Sequence, residues 1–124
     1  MRYLILILTL VVSTSVFAEG KKKEIELKDY DSKVARHLVE KEKALLLDVR
    51  TLIEYKFSSL DGSKRIHIGD LEEEMGKIKK WTKDNKDHPI VVFCAAGIRA
   101  DKAKKILKEH GYTRVVNVGG ISDY

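Results

Sequence analysis

The chain's only cysteine, Cys94, is followed three residues later by a glycine and five residues later by an arginine, reading Cys94-Ala95-Ala96-Gly97-Ile98-Arg99. A thiolate is a strong nucleophile and a thiol is a weak one, so the chemistry on offer depends on how much positive potential surrounds the sulfur. Gly97 allows a tight curl that other residues resist. Arg99 adds a permanent cation, and it is the only one in the loop. A buried cysteine in an apolar setting is more often a small packing residue. Two small residues, a glycine and an arginine after it argue instead for a loop that exposes a reactive sulfur.

The elements that would position this sulfur are legible on both sides. Ile90-Val91-Val92-Phe93 is a continuous β-favouring run, as expected of a parallel strand covered on both faces. A helical pattern begins at about Arg99, with Ala100, Ala103, Ile106 and Leu107 on its inner face and Gly111 placed to end it. Cys94 therefore stands at a strand-to-helix junction. The unpartnered amides and macrodipole of a helix start favour negative charge there.

A second apolar run, Ala44 to Val49, carries one acid, Asp48, and is followed by Arg50. Open parallel sheets bind ligands at the carboxyl ends of their strands, so Asp48 and Arg50 are expected on the same rim as Cys94. The alternative for this pair is a structural salt bridge holding the turn, with Glu54 as a ready partner for Arg50. Thr51 to Glu54 forms a capping box for a short helix through Tyr55 and Phe57.

The remaining chain alternates strand and helix. A short first strand is expected around Ile25 to Leu27, and a helix capped by Asp31 or Ser32 buries Val34, Leu38 and Val39. Leu60 to Ser63 is a turn and Arg65 to Ile68 a short strand. Asp70 is expected to cap a longer helix with Leu71, Met75, Ile78 and Trp81 or Thr82 in one stripe. Asn85 to Pro89 leads into the central strand, and Arg114 to Val118 forms a last one before Gly119-Gly120. This pattern predicts an α/β three-layer sandwich, with a central mostly parallel sheet of four or five strands flanked by helices.

Met1 to Ala18 has a positive residue, an apolar run of about ten and a small-x-small ending, which describes a cleavable secretory signal cut after Ala18. The run is shorter than the ~20 residues that span a bilayer. Residues 19–124 then form a single domain with one core. The expected location is exported, periplasmic in a Gram-negative source, with no stable membrane association after cleavage. A lone cysteine offers no intramolecular disulfide in such a compartment. The formal charge of +5 is spread among interleaved acids and bases, without the aromatic-basic interleaving of a nucleic-acid surface. His37, His67, His88 and His110 lack the spacing of a metal site, so neither metal nor cofactor is expected.

Together, Leu45-Leu-Leu-Asp-Val-Arg50 with Glu54-Tyr55, the turn glycine Gly62, the Cys94-x-x-Gly-x-Arg99 loop, Gly111-Tyr112 and Val118-Gly119-Gly120-Ile121 resemble the rhodanese domain. The size and signal are similar to those of exported single-domain rhodaneses that transfer sulfur from thiosulfate. The resemblance implies that Cys94 is the catalytic nucleophile and passes through a persulfide. It also implies that the amides of Ala95, Ala96, Gly97, Ile98 and Arg99 cradle the anionic sulfur. Arg99 either holds the donor anion or ties the loop to a nearby carboxylate. The implied partners are a small anionic sulfur donor and a thiophilic acceptor, which can be a protein, and the chain is expected to be a monomer.

Two alternatives stand beside this. A persulfide carrier or non-catalytic protein-binding module would pass sulfur to, or simply bind, another protein. Cysteine-based phosphatase or arsenate reductase chemistry needs five residues between cysteine and arginine to hold a tetrahedral oxyanion; only four separate Cys94 from Arg99.

Overall fold

A computed structural model describes residues 24–124 of the chain. The expected signal and its cut after Ala18 lie outside the described residues. Helix α1 (Ser32–Glu42) starts where the Asp31 carboxylate accepts from the amides of Lys33 and Val34 at 3.0 and 3.2 Å. It ends at Lys43, whose φ of 54° is left-handed. Strand β1 (Leu45–Asp48) follows, then α2 (Leu52–Phe57), the two-residue β2 (Lys64–Arg65), α3 (Met75–Trp81), β3 (Ile90–Cys94), α4 (Ile98–Glu109) and β4 (Val115–Gly120).

The four strands are parallel in the order β2-β1-β3-β4. Successive side chains of a strand point to opposite faces, and the core divides accordingly. Leu46, Val91, Phe93 and Val116 pack with Val34 and Leu38 of α1. Leu47, Val92 and Cys94 face Ile78 of α3 and Ala103 and Leu107 of α4. The result is helix, sheet, helix, as the continuous apolar runs require. Each fully buried Leu, Ile or Phe contributes about 1.5–3 kcal/mol, and β1 and β3 are buried along their entire length. That makes the central strands a rigid base for whatever stands at their ends.

Four expected elements differ. No strand forms at Ile25 to Leu27; Ile25 packs against the α1 face of the core. The following residues supply the edge contact instead. The Tyr30 amide donates to the Asn117 carbonyl at 2.7 Å, and the Asp29 carboxylate accepts from the Asn117 amide at 2.9 Å. The short strand expected at Arg65 to Ile68 is confined to Lys64–Arg65, and a 3-10 turn takes over at Ile68–Asp70.

Asp70 likewise caps no long helix. The chain passes through that 3-10 turn and further turns before α3 begins after Glu74. Gly69 weakens helix there by about 1 kcal/mol. The stripe still buries Leu71, Ile78 and Thr82, with Met75 and Trp81 packed at its margin. β4 begins one residue later than expected and continues through both glycines, Gly119 and Gly120.

Candidate active site

Strand β3 delivers Cys94 to the carboxyl edge of the sheet, and Ala95, Ala96 and Gly97 turn the chain into α4. Gly97 takes φ 98°, a left-handed conformation suited to glycine. This curl brings the Gly97 amide to 2.9 Å from Cys94 Sγ, to which it donates. Among the described residues, it is the one loop amide of the expected five that donates to the sulfur.

The sulfur is less open than the sequence suggests. Cys94 is 1% exposed and belongs to the α3–α4 side of the core, because strand alternation turns it inward. Ala95 and Ala96 above it are exposed, as is Ile98 at 81%. The sulfur therefore lies one layer beneath the loop surface. It still sits against a donated amide at the start of a twelve-residue helix, where positive potential gathers.

Arg99 takes the tying role. Its guanidinium donates from both terminal nitrogens to Glu54, at 2.6 and 2.9 Å, joining α4 to α2. Hydrogen bonding to Arg99 lowers the Glu54 carboxyl from 4.5 to about 2, against the opposing effect of burial and with help from Thr51. Arg99 is raised in turn, first by its hydrogen bonding to Glu54 and, against the opposing effect of burial, by the Glu54 charge.

Glu54 is therefore not the partner of Arg50. Arg50 pairs with Asp48 at 2.8 Å, and both side chains are buried. Arg50 also donates to the Ser58 carbonyl at 2.7 Å and lies 5.7 Å from the centre of the Phe93 ring. Asp48 stands beside Phe93 in the sheet, so the pair does share the rim with Cys94. Its contacts brace the segment after α2 and the base of the loop, which is the structural alternative. The capping box of α2 is present, with Thr51 and Glu54 bonded reciprocally.

Three supporting residues were not singled out for this role from sequence. A Cβ at Gly120 would overlap the carbonyl oxygen of Ala95, so the loop occupies space that only glycine leaves free. Gly119, at φ 102°, keeps its amide 2.8 Å from Asn117 Oδ1. Asn117 is completely buried in β4 and its Nδ2 donates to the Gly97 carbonyl at 3.0 Å. The one signal for it was a polar residue interrupting the apolar run Val115-Val116-Asn117-Val118.

A model of the rhodanese-like domain matches residues 31–124. The chain belongs to the rhodanese-like domain family. The rhodanese from E. coli, solved with anions, is 31% identical, superposes with a TM-score of 0.58, and is matched over 65% of this chain and 91% of that one. The Saccharomyces cerevisiae single-domain sulfurtransferase RDL2 is 27% identical with a TM-score of 0.59, over 81% of this chain and 89% of its own. A curated relative, the tRNA uridine(34) hydroxylase of Escherichia fergusonii, is 32% identical over 82 residues, covering 65% of this chain and 23% of that protein. The rhodanese-like chain spans at most 30% of the length of this protein and its Buchnera aphidicola counterpart. Its parallel four-stranded sheet between helices is the fold of the family.

Proposed function

We propose that this rhodanese-like domain transfers sulfane sulfur from thiosulfate, or a similar anionic donor, to a thiophilic acceptor through a persulfide on Cys94. The observation that carries the reading is the Gly97 amide on Cys94 Sγ at 2.9 Å. A donor held against the sulfur of a loop that also stabilises negative charge is set up for nucleophilic transfer. In the first half-reaction the thiolate forms a bond to the outer sulfur of thiosulfate as the S–S bond breaks. The bonding pair leaves with sulfite, and the persulfide anion remains. In the second, cyanide or another thiophile takes the outer sulfur, and the pair of the S–S bond returns to Cys94 as thiolate.

The four-residue spacing between Cys94 and Arg99, with Arg99 already occupied by Glu54, supports sulfur rather than a tetrahedral phosphate or arsenate as the transferred group. The named reaction of the tRNA uridine hydroxylases belongs to much longer proteins, and nothing in this domain's own residues points to that oxygen chemistry. The apolar segment at 1–18 supports export of the domain, in which case sulfur transfer takes place outside the cytoplasm.

A protein acceptor is the second reading, and one observation favours it. α2, which Glu54 joins to α4, leaves Ile53 71% and Phe57 88% exposed, and Ile98 at the start of α4 is 81% exposed. Such a surface suits a protein partner better than a small anion.

Mass spectrometry after thiosulfate exposure tests the proposal. A gain of about 32 Da on Cys94, discharged by cyanide and absent in Cys94→Ser, is the expected result. Discharge only by a protein thiol selects the carrier reading. No gain in a folded wild-type protein sinks both, and steady hydrolysis of an aryl phosphate that disappears in Cys94→Ser would replace them with phosphatase chemistry.

A further inference from the structure

Asn117 is a polar side chain with no exposure, set in the apolar strand next to β3. A buried amide costs stability unless its groups are bonded, and here they all are. Nδ2 donates to the Gly97 carbonyl at 3.0 Å, to Asp101 Oδ1 at 2.7 Å and to the Tyr30 hydroxyl at 3.2 Å. Oδ1 accepts from the Gly119 amide at 2.8 Å. One side chain therefore fastens the Cys94 loop, the first turn of α4 and the glycine pair of β4 to each other.

The decisive contact is with Gly97. The Gly97 carbonyl also accepts from the Asp101 amide at 2.9 Å, the bond that opens α4. The amide of the same residue is the donor to Cys94 Sγ. Glycine has no side chain to limit rotation about its own backbone bonds. A free Gly97 could swing its N–H away from the sulfur, and a carbonyl held by Asn117 as well as by the Asp101 amide narrows that freedom. The strand register agrees. β4 carries one extra residue, Val118, where pairing passes from Val92↔Asn117 to Phe93↔Gly119. That irregularity leaves the Asn117 side chain directed at the loop.

We propose that Asn117 is the positioning residue of the site: by holding the Gly97 carbonyl it keeps the Gly97 amide on Cys94 Sγ. This rests on the reading of Cys94 as the sulfur-transfer nucleophile. Asn117 itself touches neither donor nor acceptor.

The test is the pH–rate profile for alkylation of Cys94 by iodoacetamide, which requires no sulfur donor. In Asn117→Ala, and in the milder Asn117→Ser, the profile moves to higher pH. The rate at neutral pH falls about tenfold, the effect of losing one hydrogen bond to a charged group. Persulfide formation from thiosulfate falls in parallel. A variant that melts at lower temperature but keeps the wild-type profile overturns the proposal, because that is the signature of a packing role alone. If neither variant folds, amide hydrogen exchange in the wild-type protein decides. Protection of Gly97 N–H to the level of the β4 amides supports the proposal, and exchange at the rate of an open loop overturns it. If the wild-type protein takes no sulfur from thiosulfate while the alkylation profile still depends on Asn117, the sulfur-transfer reading fails and the positioning role stands.

Discussion

Replacing Glu54 by Gln removes the negative charge that Arg99 grips and keeps an oxygen for the Thr51 cap. The carboxyl is lowered from 4.5 to about 2, chiefly by hydrogen bonding to Arg99. A tenfold change in proton affinity is worth about 1.4 kcal/mol, so the ceiling is about 3 kcal/mol. Both side chains are 31% exposed, and solvent screening brings the expected loss to roughly 1–2 kcal/mol. For a domain of this size that lowers Tm by about 5–10 °C. The sign of the pH dependence follows from the direction of the shift. The folded carboxyl binds its proton more weakly than the unfolded one, so the stabilisation is complete above about 4.5 and is lost as pH falls through about 2. Thermal melts of wild type and Glu54→Gln from neutral pH to 2 should converge at the acid end. The same variant releases Arg99, in the first turn after the Cys94 loop, from its carboxylate, so the KM for thiosulfate should fall. Equal melting temperatures at pH 7, or a gap that persists undiminished at pH 2, would refute the reasoning.

Two further outcomes are expected. Asp48→Ala strands the buried Arg50 guanidinium without its carboxylate, and urea denaturation should show a loss of about 3–5 kcal/mol; a loss under about 1 kcal/mol would mean the pair is unimportant. Gly120→Ala drives a methyl into the Ala95 carbonyl, with a cost of about 1–3 kcal/mol and slower persulfide formation in a stopped-flow or mass-spectrometric assay. Wild-type stability and rate in that variant would show that the loop can move aside without loss.

Much of the fold was legible because its central strands are buried on both faces. Leu45 to Leu47 and Ile90 to Phe93 advertise that burial as unbroken apolar runs, and the α4 stripe from Ala100 to Leu107 is equally plain. The caps at Asp31 and Thr51 were readable for a local reason, since their partners lie within three residues. Where sequence failed, the deciding contact was distant or backbone-based. Residues 68–74 keep the spacing of a helix stripe but pass through a 3-10 turn at Ile68–Asp70 and further turns to Glu74, which periodicity does not distinguish from helix. Arg99 and Glu54 are 45 residues apart, so each had a nearer candidate role. The inward turn of Cys94 depends on strand phase relative to α4, and the bonds of Asn117 depend on an extra residue in β4.

The clamp of Asp29 and Tyr30 on Asn117 also closes the outer border of the sheet. β4 is a terminal strand, and a bare strand border offers a template on which another polypeptide can be laid down. Here the Tyr30 amide and Asp29 carboxylate already occupy its main-chain groups at Asn117, while the opposite border, β2, is only two residues long. The segment ahead of α1 thus acts as a guard against aggregation, and shortening the protein past Tyr30 would uncover the border it protects.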